Sequence, residues 1–282
     1  MKILVTGATG FVGQNVIPKL IQQNHEVIAT STDIQKAKTF AWYNDVKYIE
    51  CDYHKEDIDY YRKFDRPEAV IHLAWKGLPN YNAPFHVTDN LPVNSKLLKN
   101  FVDNDIRKLV VVGTCYEYGM QNGCLAEDLC TNPVTQYGLA KDTLRKFLEF
   151  VTRDTETSFN WVRLFYLYGE GQTNAILPQL DRAIGRGDKI FNMSMGEQLR
   201  DYLSIEQATQ YLRVITEQRS VDGIINCCLG KPISIRRLIE NRIEQRNAKI
   251  SLNLGYYPYI SHEPMAFWGN TTKLKCLIGD KQ

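Results

Sequence analysis

The chain lacks long hydrophobic runs, blocks of charge of one sign and any cysteine framework, and each absence excludes a class of protein. No apolar stretch approaches the ~18 residues of a membrane span, so no membrane partner is expected. Met1 and Lys2 lead directly into an apolar run, which leaves no room for a secretory leader, and the expected compartment is the cytoplasm. The 34 Lys and Arg and 32 Asp and Glu are interspersed, for a formal net charge of +2. Nothing therefore reads as a nucleic-acid-binding face or a disordered tail. Seven cysteines show no paired zinc spacing and five histidines form no His-Glu-x-x-His motif. No metal is expected, and most of the thiols read as reduced, half-buried side chains. A Gly-x-Ser-x-Gly elbow is also missing, which lowers the case for a serine hydrolase.

What is present is an alternation. Apolar, β-branched runs recur at Ile3–Val5, Glu26–Ala29, Val46–Ile49, Ala69–Leu73, Lys108–Val112 and Asn160–Phe165, with helical spacing between several of them. That pattern predicts an α/β fold with a parallel sheet covered on both faces. After Tyr137 the spacing predicts a helix with Ala140, Leu144, Phe147, Leu148 and Val151 on its buried stripe and Lys141, Asp142, Arg145 and Lys146 off it. Pro18 falls inside the first helix, where a local kink is expected. From about Gly169 short elements and turns replace the rhythm, and Asp201–Ile205 followed by Ala208–Ile215 reads as a return to it. The expected division is a dinucleotide-binding domain over 1–168 with a return segment at about 200–229, and a smaller substrate-binding domain from 169–199 and 230–282.

Two motifs carry the chemistry. Thr6-Gly7-Ala8-Thr9-Gly10-Phe11-Val12-Gly13 lies between the first apolar run and a helical stretch, the strand, turn and helix order of a dinucleotide site. Gly7, Gly10 and Gly13 would let a pyrophosphate approach the unpaired N–H groups of the helix start. After the second strand, Thr30-Ser31-Thr32-Asp33 has no acid at its first positions. This leans toward NADP(H) over NAD(H), with Lys36 or Lys38 as phosphate partners, although the same residues read equally well as the N-cap of the next helix. Asp52 is placed to accept from an adenine amino group. Further on, Tyr137-Gly138-Leu139-Ala140-Lys141 sets a phenol and an ammonium one helical turn apart, and Thr114 ends a buried strand. A tyrosine with a reference pKa near 10 needs roughly 4 kcal/mol of differential stabilisation to fall by about 3 units. Lys141 and a positively charged oxidised nicotinamide can supply it, with Thr114 polarising the reacting oxygen.

These motifs, together with Cys51-Asp52, Val70–Ala74, Asn90, Gly113–Gly119, Arg163–Gly169 and Leu199–Tyr202, resemble the extended short-chain dehydrogenases over nearly the whole chain. The similarity is to the nucleotide-sugar epimerase, dehydratase and reductase group. It implies a Rossmann-type doubly wound sheet with a discontinuous C-terminal substrate domain. It further implies Tyr137 as acid or base, Lys141 on the nicotinamide ribose, and Thr114 as third member of the catalytic set. The implied cofactor residues are Gly7, Thr9, Gly10, Phe11, Val12, Ser31, Thr32, Asp52, Leu73, Ala74, Lys76, Asn90 and Lys141. The implied substrate residues are Lys76, Cys115, Glu117, Tyr166, Asn174 and Arg200, with Asn174 and Arg200 on the diphosphate of a nucleotide sugar. Homodimers through helices flanking the active-site segment are frequent in the group, so a homodimer is compatible with it.

Departures narrow the reaction. Dehydratases of the group carry an Asp-Glu pair where this chain has Cys115-Tyr116, so elimination of water has no acid and base. Tyr166 replaces an asparagine common in the galactose epimerases, and the chain ends at Lys281-Gln282, where many relatives continue. Glu117 has two open readings, a bond to a sugar hydroxyl or a pair with a lysine or arginine on the adjoining loop. Tyr256, Tyr257, Tyr259, Phe267 and Trp268 would stack on a base or sugar, or pack the small domain. The expected activity is NAD(P)H-dependent reduction of the 4-keto group of a nucleotide-diphosphate-linked 6-deoxyhexose, giving a donor for cell-surface polysaccharide. The alternatives are a 4-epimerase with tightly bound NAD and a non-catalytic NAD(P)-binding sensor.

Overall fold

The computed structural model describes residues 1–56 and 58–279. Its first half runs β1 (Lys2–Thr6), α1 (Phe11–Gln22), β2 (Glu26–Thr30), α2 (Ile34–Ala37), β3 (Lys47–Tyr48), α3 (Tyr60–Lys63), β4 (Ala69–His72), α4 (Leu91–Asp103), β5 (Lys108–Thr114), β6 (Gly123–Leu125), α5 (Gln136–Thr152) and β7 (Ser158–Leu164). The second half runs β8 (Tyr166–Tyr168), α6 (Ile176–Arg186), β9 (Ile190–Asn192), β10 (Leu199–Ser204), α7 (Ile205–Glu217), β11 (Gly223–Cys227), β12 (Pro232–Ser234), α8 (Ile235–Gln245), β13 (Ser251–Asn253), β14 (Phe267–Gly269) and α9 (Thr272–Ile278).

Seven strands form one parallel sheet in the order β11-β7-β5-β4-β1-β2-β3. This is the Rossmann-type doubly wound arrangement, and the strand order reverses beside β1. Burial on both faces explains the continuous apolar strands. Ile3 and Val5 pack with Val16, Ile17 and Leu20 of α1 and Leu212 of α7, while Leu4 between them packs with Leu97 and Phe101 of α4 on the other face. Alternation along a strand sends neighbouring side chains to opposite layers. Pro18 stands inside α1 without ending it.

Helix α5 starts where Thr135 accepts the Gly138 N–H at 3.0 Å. Ala140, Leu144 and Leu148 are buried as the spacing predicts, but Lys141, Asp142 and Arg145, expected off the stripe, are buried too. Arg145 is held by Asp142 at 2.7 Å and Glu149 at 2.6 Å, and Lys141 turns toward β5. Their charges are met by protein groups, so the periodicity of apolar residues understates the buried face.

The remaining elements form smaller layers over the C-terminal ends of the strands. Strand β10 pairs parallel with β8 and antiparallel with β12, whereas α7 packs on α1 and β11 joins the main sheet beside β7. A separate apolar cluster of Leu177, Leu180, Phe191, Met193 and Ile239 ties α6 and α8 to β9. Residues 280–282, the end of the expected second segment, lie outside the described residues. No described helix is long and apolar enough to cross a membrane. The turns after β1, β4 and β5 and the chain leaving β7 thus meet at one edge, where doubly wound sheets bind ligands.

Candidate active site

After β1 the chain turns through Gly7, whose φ of +66° suits glycine, and a Cβ there would lie 2.9 Å from the Ala74 nitrogen. At Gly13 a Cβ would lie 2.4 Å from the Gly7 carbonyl oxygen and 2.7 Å from that of Ala8, so only hydrogen allows α1 to approach β1 this closely. Gly10 caps α1 without a side-chain hydrogen bond. The first-turn N–H groups and the positive end of the helix dipole therefore need an outside partner. This cradle fits a dinucleotide pyrophosphate. Gly13→Ala is expected to impose about 1–3 kcal/mol of strain on it and to weaken dinucleotide binding ~10-fold or more. Titration calorimetry with NADH checks this, and an unchanged affinity would remove the cradle from the binding site.

A cavity of about 660 Å³ opens on one side of the cradle and one of about 230 Å³ on the other, with Gly7, Gly10, Leu73 and Trp75 lining both. Phe11, Val12 and Lys141 line the larger. Thr9, Ser31, Thr32, Asp52, Ala74 and Lys76 line the smaller. Asn90 lines neither, against expectation. It is buried and donates to the Lys76 carbonyl at 3.0 Å, while Asn94, one turn on, takes the place at the smaller cavity. Lys76 also departs from expectation, since it does not line the larger cavity and its Nζ sits 2.8 Å from Asp52 Oδ1. Burial raises the Asp52 carboxyl, but the bonds from Lys76 and the His54 N–H outweigh it and leave the carboxyl lowered. Asp33 caps α2 by accepting the Lys36 N–H, and Ser31 shares a 2.8 Å hydrogen bond with the Tyr48 hydroxyl. Lys36 and Lys38 do not line the smaller cavity.

Thr114, Tyr137 and Lys141 come together on the larger cavity with Cys115, Tyr166 and Asn174. The Tyr137 N–H donates to the Tyr81 carbonyl at 2.9 Å, and its ring meets Trp75 edge-on at 6.0 Å. Lys141 Nζ donates to the Val112 carbonyl at 2.8 Å and lies 4.1 Å from the centre of the Trp75 ring. Thr114 Oγ1 accepts the Tyr116 N–H at 3.3 Å, and its own proton is available to the Tyr137 phenol or to a group in the cavity. Burial pushes the Tyr137 phenol far above its ordinary value, Tyr81 and Glu117 add to the rise, and Thr114 opposes it. Burial pulls Lys141 down to about 7, opposed by Glu117. The expected lowering of the phenol by Lys141 is thus not a property of the protein groups alone, which keep the proton on Tyr137.

Two expected substrate residues are turned away. Arg200 is 1% exposed and does not line the cavity: it donates to Glu263 Oε2 at 2.8 Å and to the Leu199 carbonyl at 2.9 Å. Glu117 is fully buried and accepts from Arg163 Nε at 2.7 Å, so an arginine of β7 answers it rather than a sugar hydroxyl. In their place the cavity takes Trp75, Tyr81, Tyr116 and Glu263. Trp75 follows the matched Leu73-Ala74 directly, so a motif read one residue further would have included it. Glu263 has no local signal, because it reaches Tyr116, 147 positions away, only through the fold. Of the aromatic group, Phe267 packs in the small layer, whereas Tyr256 and Tyr257 are exposed.

Residues 3–228 match the model of the NAD dependent epimerase/dehydratase family. The chain is 30% identical, over 95% of its length and 99% of the relative's, to dTDP-6-deoxy-L-talose 4-dehydrogenase (NAD(+)) of Aggregatibacter actinomycetemcomitans. It is 25% identical to dTDP-4-dehydro-6-deoxyglucose reductase of Escherichia coli, over 84% of this chain and 79% of that one. Among solved structures it is similar to UDP-glucuronic acid 4-epimerase from Bacillus cereus, in complex with UDP-glucuronic acid and NAD. That likeness has a TM-score of 0.85 at 20% identity, over 98% of this chain and 92% of the other, and it concerns the fold.

Proposed function

Because the chain belongs to the NAD dependent epimerase/dehydratase family, we propose that this NAD(P)-dependent oxidoreductase reduces the 4-keto group of a nucleotide-diphosphate-linked 6-deoxyhexose. One observation carries the reading. Thr114, Tyr137 and Lys141 meet on a single cavity beside the glycine cradle, and no carboxylate there is free to drive elimination. Among the described lining residues Glu263 is the one carboxylate, and it is bound by Arg200 and by the Tyr116 hydroxyl at 2.6 Å. Burial raises it, but those two bonds outweigh burial and keep it ionised, which suits a fixed charge rather than a proton carrier. The relatives named above as a 4-dehydrogenase and a reductase support carbon 4 as the reacting centre.

The cradle of Gly7, Gly10 and Gly13 would hold a reduced nicotinamide dinucleotide, which would supply the hydride for the keto carbon. Tyr137, held protonated by burial, donates its proton to the carbonyl oxygen as negative charge develops there. The Thr114 hydroxyl, whose oxygen already accepts the Tyr116 N–H, donates to the same oxygen. Lys141, one helical turn from Tyr137, stabilises the phenolate left behind and is held in place by the Val112 carbonyl and the Trp75 ring. The lean toward NADP(H) belongs to this proposal in weaker form, since Lys36 and Lys38 are away from the cavity and a relative named above is an NAD(+) enzyme.

The test mixes the protein with NADH or NADPH and a panel of nucleotide-linked 4-keto-6-deoxyhexoses and follows the reduced-nicotinamide absorbance. Loss of one reduced cofactor per sugar is expected. Interconversion of 4-epimers with no net loss would replace the reductase by an epimerase.

A further inference from the structure

Glu117 is a buried carboxylate that the mechanism above leaves unused. Every group bonded to it is a donor. Its Oε1 accepts the Thr114 N–H at 2.8 Å and the Trp161 Nε1–H at 2.9 Å, and its Oε2 accepts Arg163 Nε–H at 2.7 Å. Arg145 Nε stands 3.9 Å from Oε2. Burial raises the Glu117 carboxyl, and Arg163, the Thr114 N–H and Trp161 oppose the rise. A protonated acid would need an acceptor for its own proton, and these groups offer none, so the hydrogen-bond arrangement suits the ionised form. The adjacent strand is shaped for it as well. A Cβ at Gly113 would lie 2.4 Å from Glu117 Oε1 and 2.1 Å from Trp161 Nε1. The same short stretch of β5 also holds Lys141, whose Nζ is on the Val112 carbonyl two residues before Thr114.

We propose that Glu117 is a positioning residue of the reduction centre: it anchors the backbone of Thr114, from which the hydroxyl is presented to the substrate, and its charge favours the ammonium form of Lys141. This rests on the roles given above to Thr114 and Tyr137. The groups facing Lys141 from the neighbouring elements are the Trp75 and Trp161 rings, His72 of β4, His86 and, from its own helix, Tyr137. Burial lowers both histidines, His72 to about 3, and raises Tyr137, so all three are neutral. Glu117 supplies the negative charge opposing the desolvation of Lys141. Removing that charge makes the ammonium lose its proton at lower pH, which moves the alkaline limb of the reaction toward acid.

The test compares wild type, Glu117→Gln and Glu117→Asp. A side-chain NMR titration of Lys141, assigned by the signal lost in Lys141→Arg, is run beside the pH profile of kcat/KM. In Glu117→Gln the Lys141 midpoint and the alkaline limb are expected to fall together by about one pH unit. An unchanged midpoint overturns the electrostatic role. Glu117→Asp keeps the charge but is one methylene too short for the Thr114 N–H. Its midpoint is expected to stay while kcat falls by about 10–100-fold, and a wild-type kcat overturns the positioning role. If Glu117→Gln does not fold, the Asp variant decides the positioning role by its kcat, and a carboxyl-carbon NMR titration of Glu117 in the wild type decides the electrostatic one, which a carboxyl protonated at neutral pH overturns. If the wild type reduces no 4-keto sugar, the proposed function fails, whereas the Lys141 titration needs no substrate and still decides for Glu117.

Discussion

Tyr137→Phe is expected to lower kcat for keto reduction by about 10²–10⁴-fold while dinucleotide affinity is retained. The substitution removes one oxygen and leaves the ring of a residue that is 7% exposed and packed among Trp75, Tyr81, His86 and Tyr116. The phenol's bond to Thr114 is lost, but the backbone N–H of Tyr137 still holds the Tyr81 carbonyl. What disappears is the proton that must reach the substrate oxygen, and Thr114, whose own proton stays with a hydroxyl of ordinary acidity, cannot replace it. Stopped-flow measurement of a single turnover separates this step from product release. Turnover within about tenfold of wild type would remove Tyr137 as the acid. A simultaneous loss of NADH binding would show that the phenyl ring had not kept the site intact.

Arg163→Met is expected to cost about 3–5 kcal/mol of stability, the range for breaking one side of a buried ion pair. Arg163 and Glu117 are 1% and 0% exposed at their side chains, and they lie 2.7 Å apart under the active-site edge of β5 and β7. Methionine fills much of the volume but leaves Glu117 charged in an apolar layer with Thr114 and Trp161 as its remaining close donors. Arg163 also stacks on Tyr118 at 4.4 Å and donates to the Glu127 carbonyl, so the loss includes packing. A urea titration followed by tryptophan fluorescence measures the change. A loss below about 1 kcal/mol would place the pair with exposed salt bridges, and the role argued for Glu117 would have lost its structural basis.

Much of the fold was legible because its signals are local. The runs around Ile3, Val70 and Leu109 are apolar on both alternating positions, which only a strand covered on both faces requires, and all three are fully buried in the central sheet. Gly7 and Gly13 declared themselves for a comparable reason. One adopts φ +66° and the other allows a helix to touch a strand, and both demands are met by the residue type alone. Thr114, Tyr137 and Lys141 were recoverable because a helical turn fixes two of them relative to each other and a strand end fixes the third.

The charged and polar residues were less legible. Lys76, Arg200 and Glu117 carry groups suited to phosphate or sugar, and the family resemblance implied a substrate role for each, with a pair to a lysine or arginine as the second open reading for Glu117. In the fold Lys76 is on Asp52, 24 positions away, Arg200 on Glu263, 63 away, and Glu117 on Arg163, 46 away. By itself, then, the sequence determined the doubly wound sheet, the glycine cradle and the threonine, tyrosine and lysine proposed for the chemistry, since backbone conformation and helical spacing act over a few residues. Only the tertiary structure decided which charges face the cavity and which are spent inside the protein. A charge seeks whichever opposite charge or donor the packed chain brings within about 4 Å, where the interaction outweighs desolvation, and that neighbour is set by the fold as a whole.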